Sequence, residues 1–162
     1  MNNLSQMSKA ARLYADDHDG ATTGSGFAAP SYGAVPLNFQ GGALWRYLKS
    51  SKVFSCASDR GQPRSYHVDY PGGFPLSYSQ NTRVSNSNLD RVKRPAKVLL
   101  LIHESAQTLN DGSFVYYSVN IDRQSRVHHG GTCVAYCDMH VAWGHYNTLE
   151  TARLSDAWDP EK

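Results

Sequence analysis

The densest collection of chemically useful side chains lies toward the C-terminus, where His128, His129, Cys133, Cys137, His140 and His145 fall within 18 residues. Imidazole and thiolate are good donors for zinc, and four of them could hold an ion that supports metal-dependent hydrolysis. The spacing speaks against a structural zinc knuckle, because no two of these residues form a tight C-x-x-C pair. Cys133 and Cys137 are four apart, so on a strand both point to one face. Cys56 is the third cysteine, and an odd count leaves a thiol free or pairs it with another chain. For an exported protein a disulfide from Cys56 to Cys133 or Cys137 stays open. The main expectation is buried, unpaired thiols.

Other clusters offer less. Asp16-Asp17-His18-Asp19-Gly20 resembles half a calcium loop. With Gly20 at the sixth position, however, the first ligand would be Ala15 and the twelfth Gly26, so an EF-hand is excluded. The segment reads as a solvated acidic helix end. His103-Glu104-Ser105 follows an apolar run, where some folds carry active-site residues, but no second motif in the sequence converges on it. There is no G-x-S-x-G elbow, H-E-x-x-H helix or phosphate-cradling glycine loop. The expectation is therefore a protein without catalytic residues.

The elements that must position these groups read as follows. Leu4, Met7, Ala11 and Tyr14 recur at three- and four-residue spacing and predict a helix from Asn3 to about Asp17, with Gly20 ending the pattern. Residues 20–41 are rich in Gly, Ala, Ser, Pro and Thr and show no period, so they should drape over the core or carry function. A short helix is expected over 42–49, then an extended piece from Val53 to a turn at Gly61, then loops over 61–90. The continuous apolar run of Lys97–Ile102 predicts a strand covered on both faces. Phe114–Asn120 is a second strand, introduced by Asn-Asp-Gly. Thr132–Cys137 and His140–His145 flank Asp138-Met139 as a two-residue hairpin, and 147–158 can close the chain with a helix. This order predicts one α+β domain: a helix over 1–19, a loop-rich region over 20–96, an antiparallel sheet over 97–146 and a C-terminal helix and tail over 147–162.

Composition bounds the function classes. The chain of 162 residues suits a single domain with a real core. Its 16 Lys+Arg against 14 Asp+Glu leave a net charge of +2, which argues against a dedicated nucleic-acid binder. Only 19% of residues are charged, and ten tyrosines add to a polar, weakly charged surface common in exported proteins. The longest apolar run, Val98–Ile102, is far too short to span a bilayer.

Several short blocks then fit one family. Met1–Gln6 through Tyr14-Ala15-Asp16-Asp17-His18-Asp19-Gly20 resembles the segment just after the membrane helix of bacterial prepilin-like proteins. Tyr47-Leu48-Lys49 with Phe54-Ser55-Cys56-Ala57-Ser58-Asp59 resembles a Y-L-K … F-x-C-P-S-D block, and Ser77-Tyr78-Ser79-Gln80-Asn81 an S-Y-G-x-N block. His128, nine residues and Asp138-Met139-His140 are similar to the H-x9-D-G signature of prepilin-processing-associated proteins. Two positions depart from the pattern: Ala57 stands for its proline and Met139 for its glycine. A two-residue Asp-Gly turn needs positive φ at both central residues, so with Met139 the turn must be strained or of another type.

The resemblance implies a type IV pilin-like fold, with a long N-terminal helix laid on an antiparallel sheet and long loops around it. The implied role is a non-catalytic subunit of a type II secretion pseudopilus or type IV pilus-like assembly. Such subunits carry a cleavable basic leader and an apolar helix that anchors them in the inner membrane, facing the periplasm or cell exterior. The implied partners are other pilin subunits, prepilin peptidase and the assembly machinery, with no nucleic acid. This chain would be the soluble piece of such a protein. On this reading Leu4, Met7, Ala11 and Tyr14 form the core stripe of the helix, and Cys56, Ser58, Asp59, His128, Asp138 and His140 are structural motif residues. No cofactor is expected, although some pseudopilins bind calcium. Asp69, Asp111, Asp122 and Asp138 are the candidate oxygen donors, and His128, Asp138 and His140 the candidate metal ligands. Two competing readings remain. One is an extracellular glycan- or peptide-binding module that stacks ligands on Trp45, Trp143, Trp158, Tyr66, Tyr70 and Tyr78. The other is a hydrolase using the His/Cys metal site.

Overall fold

A computed structural model describes residues 1–24, 27, 39–60, 62, 75–116, 121–155 and 157–161. Helix α1 spans Asn2–Asp16, as the apolar spacing predicts. Its buried side carries Leu4, Met7, Ala11 and Ala15, and Tyr14 packs at the margin of the same cluster. The helix is pinned at three levels. The Asn3 side chain donates to Ser55 O at 2.9 Å, Ser8 Oγ donates to Met139 O at 2.9 Å, and Arg12 bridges Asp16 and Asp90 at 2.7 Å each. Gly20, with φ +82, donates its N–H to Ala15 O and closes the helix.

Five strands follow: β1 (Tyr78–Asn81), β2 (Leu99–His103), β3 (Ser113–Phe114), β4 (Gly131–Tyr136) and β5 (Val141–His145). They form one sheet in the order β3-β1-β2-β4-β5. Neighbours pair antiparallel except β1 and β3, which run parallel. The architecture is thus α+β with an N-terminal helix, but the sheet is mixed rather than purely antiparallel. One strand, β1, lies inside the stretch read as loop, because Tyr78-Ser79-Gln80-Asn81 carries no apolar alternation. Its four residues are buried and its polar side chains are satisfied internally: Ser79 donates to Glu104 and Asn81 donates to Leu99 O.

Other expectations need adjustment. The short helix α2 covers only Trp45–Leu48 and stops at Lys49, whose φ is +51. The strand expected over Phe114–Asn120 is reduced to β3 among the described residues, and 117–120 lie outside them. Helix α3 spans Tyr146–Leu154, after which the chain folds back to bury Trp158. The hairpin between β4 and β5 has a three-residue loop, not two. Tyr136 N donates to His140 O, Met139 N donates to Tyr136 O, and Met139 alone takes positive φ, +71. That is a type I turn followed by one left-handed residue, so only Met139 bears the conformational cost.

Strand β2 is buried on both faces, as its apolar run predicts. Leu100 and Leu101 face α1 together with Phe54, Leu76, Tyr78, Cys133 and Ala135. Leu99 and Ile102 face the opposite side, with Phe114, Tyr116, Val134, Leu149 and Trp158. Two consecutive residues share a face because the strand bulges: Leu99 pairs with Tyr136 but Leu101 pairs with Ala135, leaving Leu100 as the extra residue. The bulge reverses the alternation beyond it and turns His103 toward the α1 side. Among the described residues no helix is long and apolar enough to cross a membrane.

Candidate functional site

Beside that layer, four side chains from three distant segments meet. Cys56 and Asp59 come from one turn, Ala57–Asp59, of which Cys56 is the residue before the first. In a 3₁₀ turn residues three apart eclipse, so Cys56 and Asp59 face the same way while Ala57 and Ser58 face water. Ser77 Oγ fixes the start of this turn by accepting from Cys56 N at 2.7 Å. His103 ends β2, and its carbonyl oxygen accepts from Thr132 Oγ1 and from Ser125 N. His128 precedes β4 in a tight loop where His128 N donates to Gly131 O and Gly131 N donates back to His128 O. His129 at φ +54 and Gly130 at φ +76 make that reversal, and Trp143 Nε1 anchors it by donating to His128 O at 2.8 Å.

The geometry is compact. His103 is 0% exposed, and its Nε2 lies 3.0 Å from each carboxylate oxygen of Asp59, which is 1% exposed. The carboxylate fixes the tautomer: Nε2 carries the proton and donates it, which leaves Nδ1 with a free lone pair. His103 Nδ1 is 3.2 Å from His128 Nε2, and that same Nε2 is 3.6 Å from Cys56 Sγ. All three donor atoms lie within 4.8 Å of one another. Burial, followed by the neighbouring His103, holds the His128 imidazole below the ordinary histidine value, which favours its neutral form. Burial, followed by the neighbouring Cys56, with which it shares a hydrogen bond, pushes the Tyr78 phenol well above its usual range. The Tyr78 ring lies 5.3 Å from that of His103 and walls the site from the core.

These residues redraw the expected constellations. Cys56, Asp59 and His128 are brought together, and His103 joins them although nothing in the sequence marked a convergence there. Asp138 and His140 are not part of the group. They hydrogen-bond each other at the surface hairpin, with His140 stacked on Tyr136 at 4.3 Å. Ser58 is exposed and points away. The disulfide left open between Cys56 and Cys133 or Cys137 is not formed: all three cysteines are free, and the latter two are core residues on the α1 side. Burial pushes the Cys137 thiol up to about 12.

Among the described residues the candidate calcium donors form no group of three. Asp111 accepts from Ser113 N, Asp122 accepts from Val115 N, and Asp69 lies outside the described residues. The stacking surface also dissolves in part, since Trp158 and Tyr78 are core residues and Trp45 packs partly against the core. Trp143 is 46% exposed, and Tyr66 and Tyr70 lie outside the described residues.

A cleft of about 510 Å³ is lined by residues that flank the site in sequence, among them Ser105, Arg123, Gln124, Ser125 and Arg126. Its lining includes Arg126, stacked over the Tyr146 ring at 3.5 Å. No protein-family model matches the chain, and no curated protein or solved structure is significantly similar to it.

Proposed function

We propose that the chain is the globular part of a non-catalytic structural subunit of a pseudopilus or type IV pilus-like assembly. In the intact protein an apolar extension of α1 anchors it in the inner membrane, and copies associate through that extension. The observation that carries this reading is the two-sided use of α1. One stripe, Leu4, Met7 and Ala11, is spent on the sheet, while Gln6, Lys9 and Leu13 on the other side are exposed. A subunit that must both seat a helix on its own sheet and offer it to neighbours needs that division. The ordered sequence blocks at 1–20, 47–59, 77–81 and 128–140 support the same reading.

The test is the native reading frame and its product. Upstream of Met1 it should encode a short basic leader and about 20 apolar residues continuous with α1. The tagged full-length product should pellet with membranes and be shortened by a co-expressed prepilin peptidase. A frame with its own start at Met1, or a product that stays unprocessed in the soluble fraction, overturns the proposal.

A further inference from the structure

We infer that Cys56, His103 and His128 form a zinc-binding site, with Sγ, Nδ1 and Nε2 as the ligand atoms and Asp59 as the positioning residue behind His103. The inference does not depend on the pilus reading.

The first argument is metric. With Zn–N of about 2.0–2.1 Å and Zn–S of about 2.3 Å, a tetrahedral site has edges of about 3.3 Å between nitrogens and about 3.6 Å between nitrogen and sulfur. The observed separations are 3.2 Å from His103 Nδ1 to His128 Nε2 and 3.6 Å from His128 Nε2 to Cys56 Sγ.

The second argument separates a metal site from a thiol–imidazole nucleophile. A catalytic cysteine pair uses one nitrogen of the base toward sulfur and the other toward the group that orients the ring. Here Cys56 Sγ and His103 Nδ1 both approach the same nitrogen of His128. Three donor atoms clustered within 4.8 Å of one another suit a shared cation better than a linear proton relay.

The third argument is the buried Asp59. Metal-bound imidazoles characteristically donate their remote N–H to a carboxylate, which fixes the ring and raises its basicity. Asp59 does this for His103 with both oxygens at 3.0 Å.

The donor set favours zinc on chemical grounds. Thiolate and imidazole suit zinc and not calcium or magnesium, which prefer oxygen. Three protein ligands leave the fourth position to water or an exogenous anion, and Cys56 and His128 are half-exposed while His103 is buried.

The experiment uses the 162-residue chain, stripped with chelator and titrated with zinc alone by calorimetry at neutral pH, with elemental analysis of the dialysed product. One equivalent should bind, with submicromolar affinity. Cys56→Ser and His128→Gln, both at half-exposed positions, should each weaken binding at least tenfold while circular dichroism stays unchanged. Asp59→Asn should weaken it about 10–100-fold with all three ligands intact. Asp138→Ala with His140→Ala should leave the affinity unchanged. Cobalt(II) loading should give a tetrahedral ligand-field spectrum with a thiolate charge-transfer band, and Cys56→Ser should abolish that band. Zinc should also protect Cys56 from alkylation. No stoichiometric binding, or equal affinity in folded Cys56→Ser and wild type, overturns the inference; so does an octahedral cobalt spectrum without the thiolate band. A strong preference for copper(I) over zinc would overturn the assignment of the ion.

Discussion

Asp59 and His103 are the residues on which the local chemistry turns. A buried imidazole N–H without an acceptor costs about 1–3 kcal/mol, so Asp59→Ala should destabilise the fold by that order in chemical denaturation. Asp59→Asn, which keeps an acceptor oxygen, should cost less. The three thiols should differ sharply toward iodoacetamide at pH 8. Cys56 is half-exposed and should be labelled in the native protein. Cys133 and Cys137 are buried, and Cys137 with a pKa near 12 is almost wholly protonated, so both should react only after unfolding. Peptide mass spectrometry of the native and denatured protein reads this directly; equal labelling of all three would contradict the buried placement. At this scale the sequence revealed the participants but not the partnership. Cys56 and His128 stood out by type and Asp59 through the motif resemblance, whereas His103 was noted at the end of its apolar run with no second motif converging on it. Nothing local tells that a strand residue will meet a turn some 44 positions earlier.

Among the elements, the turn that carries His128 is the most constrained. A Cβ on Gly131 would come within 2.3 Å of Gly144 O and 2.8 Å of the Trp143 ring. Both are fixed by the β4–β5 ladder and by the Trp143 indole that holds His128 O. Gly131→Ala should therefore cost about 1–3 kcal/mol, as overpacking generally does. It should also displace His128, which would show as a changed imidazole resonance by NMR. Unaltered thermal stability would mean that the two strands can part without cost.

The helix α1, the apolar strand β2 and the β4–β5 hairpin were all legible, because each has its own period or turn chemistry. Strand β1 was not, since its residues are polar and its burial is made possible by partners such as Glu104 and Thr23 that lie far away in sequence. The parallel pairing of β3 with β1 was equally invisible, for two residues carry no usable pattern.

Taken as one body, the molecule has two apolar layers separated by the sheet, and acidic groups buried at the edge of the second. Desolvation pushes Asp122 above the usual carboxylate range, and the nearby charge of Asp122 adds to the burial that raises Glu104. An acid whose folded value is raised stabilises the protein fully below its unfolded value and loses that contribution as pH rises through the folded one. These two groups therefore make the fold lose stability as the pH rises from about 4 upward, opposite to acids held in ion pairs. Asp122→Asn keeps an oxygen for Val115 N and removes the charge. It should raise the melting temperature at pH 7 and flatten its dependence on pH between 4 and 8. A lower melting temperature at pH 7 would show that the carboxylate is needed in its ionised form.

The single surplus residue in β2 makes the meeting of the donors a question of parity. With even alternation from Val98, the imidazole of residue 103 would be delivered among Phe114 and Trp158, a full sheet thickness from the thiol. Drawing Leu100 into the ladder as an ordinary paired residue would thus exile His103 while every donor remained in the sequence. The chain can keep all its ligands and still lose the place where they convene.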